Sequence, residues 1–229
     1  MSDRANILAR IREALTLSAP VPGGHHLVPT GKAPIAKPHG QIRDWLPAVG
    51  PTQEQQIELF RANSADLKSD FRLLDSLEAV AAELRAIAAS EGWKKIATHC
   101  GELTSAVCTP LGLPTLDTTG GYDAKELEKC DAGISLCDAL IAQTGSVLVT
   151  SRTSGGRALS VLPPHHVVIA RREQLLADLP AAFALLKEKY GSNYPSMISF
   201  ITGPSRTGDI ERILVLGAHG PKKLTILVF

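Results

Sequence analysis

The chain is poor in aromatic side chains, at 4%, and has no excess of either charge, with 24 Lys and Arg residues against 23 Asp and Glu. Nucleic-acid binding needs a basic surface to collect phosphates and, for single strands, aromatic platforms on which bases stack. Nucleic acid is therefore not an expected partner. No apolar run approaches the roughly 18 residues that cross a bilayer, which argues against membrane insertion. Residues 1–20 interrupt their apolar positions with Arg4, Arg10, Arg12 and Glu13, unlike the continuous apolar stretch of a secretory signal. The expectation is a cytoplasmic protein. Paired cysteines are also missing. Cys100, Cys108, Cys130 and Cys137 include no Cys-x-x-Cys and lack the spacing of a zinc ribbon or an iron–sulfur run. No metal and no cluster are expected on this chain, and its thiols read as reduced, mostly core residues.

What the chain does have is 229 residues with 44% hydrophobic content, enough to bury a sizeable core. Ile7, Leu8, Ile11 and Leu15 share one face of a short amphipathic helix over Asn6–Leu17. Packing back on its own domain and docking on a second copy in a homo-oligomer both fit that face. Five prolines and four glycines between Ala19 and Gly40 make regular structure improbable there, so residues 1–40 read as a helix and an arm. Beyond them, Thr52-x-x-Gln55 is a capping box and Ser76 is a second helix cap ahead of an apolar stripe that ends near Gly92. Strand-like runs at Phe71–Leu74, Trp93–Thr98, Leu113–Leu116, Ile134–Leu136, Val147–Thr150, Val167–Ala170, Met197–Ile201 and Leu224–Phe229 alternate with helical patterns. Arg157–Leu162 reads as a short helical segment, and Gln174–Tyr190 as a longer one that Pro180 must kink or restart. The rhythm predicts an α/β fold, a mostly parallel sheet with helices on both faces, over residues 41–229.

In such sheets ligands gather beyond the carboxyl ends of the strands, so the loops there are searched first. Thr144, Gly145 and Ser146 offer a tight turn with two hydroxyls. Arg157 follows a Gly155-Gly156 pair and, at a helix start, suits a phosphate or carboxylate. Gly203, Ser205, Arg206 and Thr207 make a second anion-binding edge, whereas Asp209 and Glu211 fit the acidic first turn of a helix and hold the loop in shape. His166, at the entrance to a strand, and His219, in a turn, are the candidates for proton transfer. None of these spacings is a Walker or dinucleotide fingerprint.

Ile141-Ala-Gln-Thr-Gly-Ser146, Arg157-Ala-Leu-Ser-Val-Leu-Pro163 with His166, Ile201-Thr-Gly-Pro-Ser-Arg-Thr-Gly-Asp-Ile-Glu211 and Gly217-Ala-His-Gly-Pro221 resemble, in order and spacing, the motifs of the lactate utilization protein C family, the LUD domain proteins. The resemblance implies a fold similar to the superfamily of ribose-5-phosphate isomerase, glucosamine-6-phosphate deaminase and CoA transferases, with a LUD-like domain over residues 41–229. It also implies a component of an L-lactate or 2-hydroxy-acid utilization system that oxidises lactate to pyruvate, with iron–sulfur clusters on partner proteins and a small anion bound in the strand-end loops. Gln143 stands where that family frequently has a carboxylate, which removes a general base. Ser146 and Arg206 replace the usual Thr and Lys and keep the hydroxyl and the cation. Catalysis on this chain, a non-catalytic assembly or regulatory part in the same system, and a stand-alone enzyme acting on a sugar phosphate, acyl-CoA or folate all stay open.

Overall fold

The structure is a computed structural model that describes residues 8–10, 12–13, 46–207, 215–217 and 219–229. The Pro/Gly-rich arm and the loop-shaping pair Asp209 and Glu211 lie outside the described residues. The chain divides into two units, Met1–Trp45 and Leu46–Phe229. In the first, residues 8–10 and 12–13 are helical. Everything below concerns the second.

Its helices are α1 (Gln53–Asp66), α2 (Leu77–Glu91), α3 (Glu102–Cys108), α4 (Ala124–Leu127) and α5 (Leu179–Tyr190). Its strands are β1 (Asp70–Leu73), β2 (Ile96–Thr98), β3 (Thr115–Asp117), β4 (Ala132–Leu136), β5 (Ala139–Ile141), β6 (Ser146–Thr150), β7 (His165–Ala170), β8 (Leu175–Leu176), β9 (Ile198–Ile201), β10 (Arg206–Thr207), β11 (Val215–Leu216) and β12 (Lys223–Val228). Local chemistry sets several of the boundaries. Thr52 and Gln55 close the capping box that starts α1, the Ser76 hydroxyl accepts the Ala79 N–H at the start of α2, and Gly92 ends α2 in the left-handed conformation.

Six strands form one fully parallel sheet in the order β1-β12-β7-β4-β2-β3. A second sheet, β8-β5-β6-β9, is mixed, with both neighbours of β6 antiparallel to it. Val80, Leu84 and Ile87 of α2 and Val107 of α3 bury one face of the parallel sheet against Ile134, Val167, Ile169 and Leu227. The opposite face, with Val168, Ala170, Ile226 and Val228, is covered by Phe60 of α1 and by Leu140, Val147 and Val149 of the second sheet. Ala182, Leu186 and Tyr190 of α5 then cover the outer side of that second sheet, on Ala139, Ile141 and Leu148. The layers run helix, sheet, sheet, helix. The mostly parallel α/β expectation holds, and the addition to it is a sheet where part of a helical layer was expected. No helix among the described residues is long and apolar enough to cross a membrane.

Three segments differ from the sequence expectation. Arg157–Leu162 is a run of turns, not a helix. Gly155 and Gly156 enter it at φ +62° and +108°, and Pro163-Pro164 closes it by disfavouring helical backbone in the residue ahead. Gln174–Tyr190 splits, because Asp178 caps a new helix with Pro180 in its first turn. Similarly, the segment expected to run as a helix from Asp209 ends at Val215–Leu216 in a strand paired antiparallel with Arg206–Thr207.

Candidate functional site

A cavity of about 200 Å³ lies where β7 and β12 begin, between the parallel sheet and β9 of the second sheet. Leu224, Met197, Ile201 and Val161 give it apolar walls, and His166, Ser160, Ser199 and Ser205 give it polar ones. The turn of His219, Gly220 and Pro221 closes one side, and Gly203 and Pro204 another. The loops searched first were those beyond the carboxyl ends of the parallel strands, yet this cavity sits at their amino-terminal edge. The reason is the layering: the second sheet lies over the middle of the parallel sheet, and the chain entering β7 and β12 bends around its rim.

His166 is 1% exposed. Its Nε2 lies 2.8 Å from the Ser135 hydroxyl on the adjacent strand β4, which fixes the ring. Its Nδ1 is buried and has no hydrogen-bond partner among the described residues, and the same is true of the Ser160 hydroxyl. Burial, with a smaller contribution from neighbouring His165, pushes the His166 pKa down to about 3, so the ring is neutral in ordinary buffers. A neutral imidazole with one nitrogen engaged has one further hydrogen bond to give or take. Two buried, unpartnered polar atoms on the wall of one cavity are uncommon in native proteins. The arrangement is suited to a small molecule with an apolar part and a compact polar group.

Of the residues singled out in the sequence, His166, His219, Gly203 and Ser205 line this cavity. The others do not. Thr144, Gly145 and Ser146 form the β5–β6 turn, where the Ser146 hydroxyl lies 2.8 Å from the hydroxyls of both Thr144 and Thr202. That turn packs on α1. Asn63 donates to the Ala142 and Gln143 carbonyls at 2.8 and 3.1 Å, and a Cβ on Gly145 would come within 2.8 Å of Asn63 Cβ. Arg206 is exposed and donates to the Thr202 carbonyl at 3.2 Å, next to Gly203. Arg157 is exposed and donates to the Ser196 hydroxyl at 3.3 Å, with no helix start behind it. Thr207 lies in β10. The 203–205 segment is itself held by backbone: Ser205 N–H donates to the Pro221 carbonyl at 2.9 Å, and the Ser205 carbonyl accepts from Gly217 N–H at 2.8 Å.

Sequence reasoning passed over Ser135, Ser160 and Ser199. Ser135 had a signal, since a serine inside an otherwise apolar central strand must find a partner. It also passed over Asp138, a residue 5% exposed whose carboxylate accepts from Lys189 Nζ and Tyr190 Oη, both at 2.6 Å, and from Thr153 at 2.8 Å. Burial alone would raise the Asp138 pKa, but those three donors outweigh it and leave it lowered. This cluster ties α5 to the second sheet and lies outside the cavity. Cys108, Cys130 and Cys137 are buried and Cys100 is exposed, and burial pushes the Cys108 thiol up to about 11.

The chain is similar to known proteins. Residues 118–229 match the model of the LUD domain. The chain is 28% identical over 216 residues to lactate utilization protein C of Geobacillus kaustophilus, an alignment that covers 86% of this chain and 90% of that protein. It is 36% identical over 113 residues to the protein of the same name from Anoxybacillus flavithermus and 36% over 123 residues to that from Shouchella clausii. Those two alignments take in 49% and 52% of this chain and about half of each relative, 50% and 54%. A crystal structure of a DUF162 family protein from Deinococcus radiodurans superposes with a TM-score of 0.61 at 18% identity, covering 78% of this chain and 99% of that one. The fold is shared.

Proposed function

We propose that the protein, whose residues 118–229 match the model of the LUD domain, is a component of a lactate utilization system that holds a small 2-hydroxy or 2-oxo acid in the cavity beside His166. The names of its relatives support the pathway. One observation carries the binding site: His166 and Ser160, each with a buried polar atom that has no hydrogen-bond partner among the described residues, line the same cavity. An acid with a short apolar tail offers a polar group to those two atoms and its methyl to Val161, Met197, Ile201 and Leu224. The anion expected from the sequence is then met by neutral hydrogen-bond donors rather than by Arg157 or Arg206, which are exposed elsewhere.

In this reading His166 orients the acid. A ring whose pKa lies at about 3 is a weak base at neutral pH, and efficient proton transfer calls for a pKa near the working pH. Catalysis on this chain would rest on His219, exposed at the cavity mouth. The oxidation itself is assigned to partner proteins that carry iron–sulfur clusters. The test is a strain deleted for this chain, grown on L-lactate as sole carbon source beside a glucose control. The expected outcome is loss of growth on lactate alone, restored by the intact chain. Normal growth on lactate would overturn the reading.

A further inference from the structure

A second cavity, of about 270 Å³, opens at the same edge of the parallel sheet but on its other face, between the last turn of α2 and the starts of β1, β12 and β7. Charge lines it. Its two carboxylates are both paired: Asp70 with Arg72 at 2.7 Å, and Glu91 with Lys223 at 2.6 Å. Arg72 also bonds Glu83. The lining lysines Lys68 and Lys222 are exposed and have no carboxylate partner among the described residues. At the last turn of α2, Gly92 N–H and Trp93 N–H bond to the carbonyls of Ala89 and Ala88. The uncompensated charge in the cleft is positive.

Two further observations point to a ligand. His165 is 5% exposed and lines this cavity. Its ring sits edge-on to Trp93 at 5.2 Å, and its Nε2 lies 2.9 Å from the Thr225 hydroxyl. Its buried Nδ1 has no partner among the described residues. The roles depend on the tautomer: with the Thr225 hydroxyl donating to Nε2, Nδ1 carries the proton and can donate, the form that an anion would select. Lys68 ends α1 at φ +65°, in the left-handed conformation. It is held there by Lys68 N–H to the Ala65 carbonyl at 3.0 Å and Ser69 N–H to the Ser64 carbonyl at 2.8 Å. That is the closing position of a helix at which glycine is favoured and a side chain is strained, and it sets the lysine at the wall of the cleft.

We propose that this cleft binds a phosphoryl group, with Lys68 and Lys222 as point charges and His165 Nδ1–H as a buried donor, in a site separate from the cavity beside His166. Lysine is a common phosphate ligand of this point-charge kind. The ligand is either inorganic phosphate or the phosphate end of a metabolite, and the two sources share this chemistry.

The experiment uses the full chain at fixed ionic strength, titrated with inorganic phosphate, glycerol phosphate and sodium L-lactate while thermal unfolding and heat of binding are followed. Phosphate or its monoester at millimolar concentration is expected to raise the melting temperature. A response to the monoester alone identifies a metabolite, and a response to both identifies the ion. Lys68→Gly relieves the left-handed strain, so the protein is expected to fold at least as well, yet its phosphate affinity should fall by about tenfold, the loss expected for one charge-assisted hydrogen bond. Lys222→Gln should lose about as much. Arg85→Gln, outside the cleft, should lose nothing. No phosphate response in the wild-type chain, or a response that survives both lysine substitutions, would overturn the proposal. A loss in Arg85→Gln equal to that of the lysine variants would do the same, since it would mark a diffuse surface effect. The lactate arm reports on the other cavity and is expected to be unmoved by any of the three changes.

Discussion

Ser160 is buried with a hydroxyl that bonds to nothing among the described residues, so its removal separates folding from binding. Ser160→Ala is expected to leave urea stability unchanged or slightly higher, because an unpaired buried hydroxyl is a cost, while the affinity for L-lactate or pyruvate falls by about tenfold in calorimetry. Unchanged affinity would remove Ser160 from the site. His165 and His166 make a pH prediction. Burial holds their folded pKa values down at about 4 and about 3, below the value near 6.5 of an unfolded histidine. The unfolded chain therefore binds more protons below that pH, and stability falls as pH drops. The neutral-histidine contribution is full above pH 6.5 and is lost progressively toward pH 4 and below, which a series of urea midpoints would show. Asp138 behaves oppositely to Ser160. Asp138→Ala removes the acceptor of Lys189 and leaves Tyr190 Oη with only the Thr150 hydroxyl at 3.2 Å, and is expected to cost about 3 kcal/mol in chemical denaturation, less if Lys189, which is partly exposed, turns into solvent.

At the scale of elements, what the sequence disclosed was local. The caps at Thr52 and Ser76 and the stop at Gly92 were legible because each is decided by a few neighbouring residues. The turns over Arg157–Leu162 were not, because their apolar side chains mimic a helical period while Gly155 and Gly156 set the backbone. β5 and β8, of 3 and 2 residues, are too short to carry a period-two signal and owe their existence to pairing with β6 and with each other. The β5–β6 turn yields a further prediction. Gly145 stands at φ +63° against Asn63, so Gly145→Ala combines a left-handed strain with a clash and is expected to destabilise by roughly 2 kcal/mol. Thr52→Ala, which removes a cap hydroxyl at the surface, should cost about 1 kcal/mol. Near-equal effects in denaturation would mean that the turn yields more readily than its packing implies.

For the whole molecule, α/β class and parallel order followed from the strand and helix rhythm, whereas the doubled sheet did not, since nothing in a short apolar strand says which sheet it joins. The candidate cavity was partly legible. His166, His219, Gly203 and Ser205 were marked by type and by neighbouring glycines and prolines, but Ser160 and Ser135 acquire meaning only when β4, β7 and the preceding turns meet. Core clusters on both faces of the parallel sheet are built from residues of the second unit, so a chain of residues 46–229 is expected to unfold cooperatively by itself in urea. A broad, non-cooperative transition would show that the first unit is needed for folding. His165 and His166 are consecutive on β7, and Lys223 and Leu224 stand beside them in register on β12. Because neighbouring side chains of a strand face opposite ways, each cavity receives one member of the histidine pair. Point substitutions can therefore alter the two sites one at a time, whereas a one-residue slip of β7 against β4 and β12 would exchange the histidines between faces and disable both. Both sites therefore depend on the register that β4 and β12 impose on β7 from either side.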